Sequence, residues 1–285
     1  MDTADDFKLT CHAVGRKDGK DTAVPQTEKK KELTKMIKRA LAFLITAVGL
    51  IALGNTCSAE NSQTAEKQDT PKVVKKVDKP THIDLVMILD QSGSMHSLTS
   101  DTIGGYNAMV EKQRKSGTDV SVTTVLFNNK ETTLYDRKPI ADVPLLTEKE
   151  YSPNNMTALL DATGNTLSRM KTAKGINDKG NKVIVVLITD GMENASREYK
   201  RADVKKLISD LQEKQDWEFI FLGANIDAAA EAGSLGIRRG NAVKYKNTSK
   251  GVKANYEAVG TMMEEAAMAV PMEQRTWQDK VDKDN

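Results

Sequence analysis

From Ile83 onward the chain alternates between short apolar runs and stretches with helical spacing. Leu85 to Leu89 is apolar without alternation, as in a central strand covered on both faces. Val120 to Phe127, Lys182 to Thr189 and Trp217 to Leu222 read as further buried strands, and Ala242 to Tyr245 as a weaker one. Thr132 to Tyr135, after the Asn128-Asn129-Lys130 turn, reads as a short hairpin partner of the Val120 strand. Residues 137 to 154 carry Pro139, Pro144 and Pro153 and read as loop. Helical spacing appears between them. Ile103, Tyr106 and Val110 predict a helix from about Asp101 to Lys115, and Leu160, Leu167 and Met170 one over Leu159 to Met170. Val204, Leu207, Ile208 and Leu211 mark a third, and Asp227 to Ala232 a short fourth. Val252, Tyr256, Val259, Met263, Ala266 and Val270 alternate steps of four and three, which predicts a final amphipathic helix stopped by Pro271.

Strands alternating with helices predict an α/β fold: a doubly wound, mostly parallel six-stranded sheet with one short antiparallel edge strand and helices on both faces, Rossmann-like. Right-handed crossovers place the carboxyl ends of the parallel strands on one edge. Ligands bind such sheets there, where the strand order reverses. The strands ending at Asp90 and Asp190 are expected to be neighbours at that point.

The chemistry concentrates in Asp90-Gln91-Ser92-Gly93-Ser94, directly after the first strand. In an extended turn, residues two apart point to the same side, so Asp90, Ser92 and Ser94 can bring three oxygens to one point. Gly93 leaves the turn free to bend. Oxygen-only ligands suit a hard cation, Mg²⁺ before Ca²⁺, whereas Zn²⁺ would favour His or Cys. Taken singly, each of these residues is also an ordinary turn former.

Asp-x-Ser-x-Ser after a buried strand resembles the metal-ion-dependent adhesion site of von Willebrand factor type A domains. Two more segments carry the resemblance in the family's order: Asn155-Met156-Thr157-Ala158-Leu159-Leu160-Asp161-Ala162, where the family often has Gly in place of Asn155, and Val183 to Gly191, which ends in Thr189-Asp190-Gly191. The resemblance spans roughly residues 81 to 270. It implies Ser92, Ser94 and Thr157 as hydroxyl ligands, with Asp90 and Asp190 bonding the metal directly or through water. It also implies Mg²⁺, with Mn²⁺ or Ca²⁺ as alternatives, and an open position completed by a carboxylate of a partner protein. The expected function is therefore a metal-dependent protein-binding module for adhesion or complex assembly. Some relatives move their final helix on engagement.

The alternative is a Mg²⁺-dependent phosphoryl-transfer enzyme using Asp90 as nucleophile. Against it, no second acidic residue stands two positions after Asp90, no Gly-x-x-x-x-Gly-Lys loop occurs, and Ser92 lacks a Gly-x-Ser-x-Gly elbow. Glu193, Asn194 and Asp227 follow strand ends on the same edge and are candidate rim residues. Asn194-Ala195-Ser196 and Asn247-Thr248-Ser249 match glycosylation sequons. His96, in the first loop, reads as an exposed loop histidine.

Composition narrows the partners. A net charge of +2 with scattered Lys and Arg gives no electrostatic case for nucleic acid. Cys11 and Cys57 both precede the domain and sit in no metal or redox motif. Residues 1–35 are polar and charged and read as disordered or as an over-extended start before Met36. A basic stretch (Lys29, Lys30, Lys31, Lys35, Lys38, Arg39), an apolar run from Ala40 to Leu53 and the small residues of Cys57-Ser58-Ala59 predict a signal peptide or membrane anchor over 36–59. Cleavage after Ala59, an uncleaved anchor and lipidation at Cys57 are the three readings. Each places the domain on the outer side of the cytoplasmic membrane, periplasmic or at the cell surface, with membrane contact only through this segment. Residues 60–80 read as a polar linker, 81–270 as the domain and 271–285 as a polar tail.

Overall fold

The computed structural model describes residues 78–281. The expectations for residues 1–77 lie outside them. Six strands form one sheet: β1 (His82–Asp90), β2 (Val120–Phe127), β3 (Glu131–Pro139), β4 (Asn181–Thr189), β5 (Glu218–Gly223) and β6 (Ala242–Lys244). Their order is β3-β2-β1-β4-β5-β6, all pairs parallel except β2 with β3. This is the doubly wound α/β arrangement expected, and its order reverses between β1 and β4.

The apolar runs follow from burial on both faces. Along β1, Ile83, Leu85, Met87 and Leu89 enter one core with Tyr106, Val259 and Met263, while Val86 and Ile88 enter the other with Leu160, Ile208 and Phe219. The first face is covered by α1 (Thr99–Arg114) and α5 (Ser249–Ala267). The second is covered by α2 (Leu159–Met170), α3 (Arg201–Lys214) and the short α4 (Ala228–Ser234). Helices α1 and α5 pack closely at Gly105, where an added Cβ would lie 2.5 Å from a ring carbon of Tyr256. None of the helices among the described residues is long and apolar enough to cross a membrane.

Three boundaries differ from the sequence reading. Strand β3 is nine residues long and runs to Pro139, into the stretch read as loop. It is an edge strand, where a proline's missing N–H leaves no ladder bond unmade. Its pairing with β2 shifts register around Thr124, and Arg137 adopts a left-handed φ of 47°. Helix α5 ends at Ala267, short of Val270, because Ala269 turns left-handed (φ 59°) and the Val270 N–H bonds back to the Glu265 carbonyl at 2.9 Å.

The packed body also continues past Pro271, into residues expected to be polar tail. Arg275 makes a two-pronged ion pair with Glu218 on β5 (2.5 and 3.0 Å), and the Thr276 N–H donates to the Glu265 carboxylate of α5 at 2.7 Å. Between these anchors Trp277 is 1% exposed and joins the core on the α1/α5 face. A lone tryptophan between polar residues has no periodicity to announce its burial.

Trp277→Ala is expected to cost about 3–5 kcal/mol, as for other large buried aromatics. Urea unfolding of the full chain checks this, and a loss within about 0.5 kcal/mol would show the segment to be dispensable.

Candidate metal centre

Strands β1 and β4 are parallel neighbours in register up to Leu89 opposite Ile188, so Asp90 and Asp190 leave the sheet side by side. Both are buried, at 1% and 2% exposure. The Ser92 N–H donates to Asp90 Oδ1 at 2.6 Å, which folds the Asp90 turn back on itself. Ser94 Oγ donates to Asp190 Oδ1 at 2.5 Å, and Ser92 Oγ lies 3.1 Å from Ser94 Oγ. Four of the five expected ligands thus form one continuous hydrogen-bonded set.

Thr157 completes it from the loop before α2. Its backbone and that of the Asp190 loop are zipped together: the Asn194 N–H donates to the Thr157 carbonyl (3.0 Å), and the Thr157 N–H donates to Asn194 Oδ1 (2.9 Å). Gly191 keeps open the space between the two loops. A Cβ on it would sit 3.3 Å from Thr157 Oγ1 and 3.7 Å from Ser94 Oγ. The Thr157 loop reaches the first turn through the Gly93 N–H, which donates to the Asn155 carbonyl at 3.0 Å. Asn155 has a φ of 63°, in the left-handed region that glycine occupies freely and asparagine tolerates better than most residues. That is the physical reason one can stand for the other at this position.

Three residues that the sequence reading did not place at the site hold the two aspartates. Thr189 Oγ1 donates to Asp90 Oδ2 at 2.5 Å, the Tyr151 hydroxyl donates to the Asp90 carbonyl at 2.6 Å, and Asn247 Nδ2 donates to Asp190 Oδ2 at 3.3 Å. Thr189, a strand-end hydroxyl beside Asp190, carried a signal. Tyr151 and Asn247 come from distant loops and carried none.

The candidate rim residues are engaged otherwise. The Glu193 carboxylate accepts from the backbone N–H groups of Leu160, Ala195 and Ser196, Asp227 caps α4 through the Ala230 N–H, and Asn194 holds Thr157. The amides of both sequon asparagines, Asn194 and Asn247, are likewise engaged. His96 is exposed.

The residues fit a hard divalent cation. Two buried carboxylates and three hydroxyls converge, with solvent access at exposed Ser94 and Gly93. Burial pushes the Asp90 carboxyl up to about 6, and the nearby Asp190 charge adds to this against hydrogen bonds from Thr189 and Ser92. Without a cation, ionised Asp90 therefore costs stability.

An Asp-x-Ser-x-Ser turn, a Thr loop and a second strand-terminal Asp thus meet at the carboxyl edge of the doubly wound sheet. No family model matches the chain, and no curated protein matches it. Among solved structures it is similar to proximal thread matrix protein 1 of the mussel byssus with a zinc-occupied metal-ion-dependent adhesion site (18% identity, TM-score 0.48, 66% of this chain and 47% of that one). It is also similar to the ArnB paralog VWA2 of Sulfolobus acidocaldarius (19%, TM-score 0.43, 61% and 44%). A third is the type V pilus tip protein Mfa5 of Porphyromonas gingivalis, in its vWF domain (11%, TM-score 0.46, 69% and 99%). The chain spans less than half the length of the first two.

A carboxyl group titrating near 6 in the folded state and near 3.8 unfolded binds its proton more tightly when folded. In EDTA, its contribution to stability is therefore full below pH 3.8 and is lost as pH rises through about 6, by on the order of 3 kcal/mol. Asp90→Asn keeps the shape and removes the charge, so in EDTA at neutral pH it is expected to unfold at higher denaturant than wild type. A variant less stable than wild type under those conditions would contradict this account of the charge.

Proposed function

We propose that this domain is a metal-dependent protein-binding module in which a divalent cation bridges to a carboxylate of a partner protein. The observation that carries the reading is the buried Asp90–Asp190 pair, tied into one hydrogen-bonded set with Ser92 and Ser94 and opening to solvent through Ser94. Asp90, Ser92, Ser94, Thr157 and Asp190 would hold the ion, which supplies an electrophilic centre for an external anion. The all-oxygen donor set favours Mg²⁺, with Mn²⁺ or Ca²⁺ next. The zinc in the mussel protein's site is that protein's own.

This chain's residues do the positioning. Thr189 and the Ser92 N–H fix both oxygens of Asp90, and Asn247 fixes one oxygen of Asp190 so that the other faces Ser94. The basic-then-apolar segment at 36–59 supports placing the domain outside the cytoplasmic membrane.

The test is titration of the full chain with Mg²⁺ by calorimetry, followed by capture of partners from an envelope extract. Wild type is expected to bind Mg²⁺ and to recover a partner that is lost in EDTA and with Asp90→Ala. Recovery of the same partner in all three conditions would place the binding on another surface. Turnover of a generic phosphatase substrate, abolished by Asp90→Asn, would establish the enzyme instead.

A further inference from the structure

Two of the buried tyrosines have their hydroxyls matched. Tyr106 Oη lies 2.8 Å from Thr124 Oγ1, and the Tyr151 hydroxyl donates to the Asp90 carbonyl at 2.6 Å. Tyr245 differs. It is 0% exposed, and its hydroxyl has no hydrogen-bond partner among the described residues. Buried polar groups nearly always find a partner in protein or water, and one left unmatched is costly. Burial first, and then the nearby Asp190 charge with smaller effects of Tyr256 and Asp90, holds the Tyr245 phenol well above its ordinary range. The hydroxyl therefore stays protonated at neutral pH and lies within electrostatic reach of both aspartates.

A second unmatched oxygen stands two positions along the same segment. Lys244 and Lys246 are exposed, while Tyr245 is buried and Asn247 half-buried. That alternation belongs to an extended stretch that turns positions 245 and 247 to the same, inner side. Asn247 Nδ2 donates to Asp190 Oδ2 at 3.3 Å. An ionised carboxylate only accepts, so the amide nitrogen must face Asp190 and Oδ1 must point elsewhere. That oxygen is buried and also has no partner among the described residues. The other oxygen of Asp190 is held by Ser94, from the side of the first turn. Two uncharged, unmatched oxygens thus stand near one carboxylate on its β6 side.

We propose that Tyr245 and Asn247 belong to the metal centre as positioning residues, their two oxygens accepting hydrogen bonds from a water molecule carried by the cation. This rests on the metal-binding reading above and adds two residues to it. A cation-bound water directs its lone pair at the metal and both protons outward, so it needs acceptors. An amide oxygen and a phenol oxygen supply them without adding charge. Mg²⁺ gives up its waters reluctantly and usually keeps several when bound. Side chains that orient a metal's ligands commonly contribute about 10–100-fold to its affinity.

Calorimetric titration of the full chain with Mg²⁺, paired with urea unfolding in EDTA, tests this. Tyr245→Phe keeps the ring and removes only the hydroxyl. It is expected to bind Mg²⁺ about tenfold more weakly than wild type. In EDTA it is expected to unfold at the same or a higher urea concentration, because the hydroxyl has no bond within the fold to lose. Asn247→Ala is also expected to weaken Mg²⁺ binding. Combined, the two losses are expected to fall short of their product, since each substitution releases the same water. Unchanged Mg²⁺ affinity in Tyr245→Phe, or a lower unfolding midpoint in EDTA, would overturn the assignment of Tyr245. Losses that multiply would separate the two residues and overturn the shared water. In each of these cases wild type still binds Mg²⁺ and the five-residue site stands. A wild type that does not bind Mg²⁺ would overturn both.

Discussion

Everything at the carboxyl edge depends on one juxtaposition: two buried carboxylates at the ends of adjacent parallel strands. Contrast the two ends of β1. At the amino end, buried Asp84 meets a bidentate Arg137 (2.9 Å at both contacts) and Asn181 at 2.7 Å, so its charge is matched within the fold. At the carboxyl end, the groups that act on Asp90 are two hydrogen-bond donors and a second carboxylate, with no cation among them. One strand thus carries one internally neutralised acid and one that is left for something else to neutralise. A carboxylate kept buried beside a like charge is costly, and sites with that signature cluster at functional positions.

The surrounding loops hold this arrangement by directing acidic and amide side chains onto backbone N–H groups. Glu193 accepts from Leu160, Ala195 and Ser196, while Asp161 accepts from Arg197, Glu198 and Tyr199. The two carboxylates lace the loop after β4 to the first turn of α2, and Thr157 stands just before that turn. Asn247, directly before the Thr248 cap of α5, reaches the Asp190 carboxylate. The segment entering the last helix is therefore part of the site's support.

Much of this was legible from residue order, for physical reasons that differ by element. The core strands were readable because burial on both faces demands unbroken apolar runs, and Leu85–Leu89 and Val183–Ile188 supply them. Asp90, Ser92 and Ser94 were readable because their spacing converges within a single turn. Thr157 and Asp190 needed a known pattern, because only the tertiary fold brings them to Asp90. Tyr151 and Asn247 were invisible, since one hydrogen bond across more than fifty residues leaves no local trace. The full length of β3 was hidden by Pro139, which local reading takes as a breaker and an edge strand tolerates. Trp277 was hidden because its burial is set by the Arg275–Glu218 anchor beside it and not by any periodicity of its own.

The donor set also leaves a coordination position that an external ligand would fill. Two ionised carboxylates balance a divalent charge, and three hydroxyls add dipoles but no charge. With Glu193, Asp161 and Asp227 committed to backbone groups, the nearest acids are not free to fill a remaining position. Near the surface, water screens an exposed ion strongly, and an arriving carboxylate must displace that water to gain Coulomb energy.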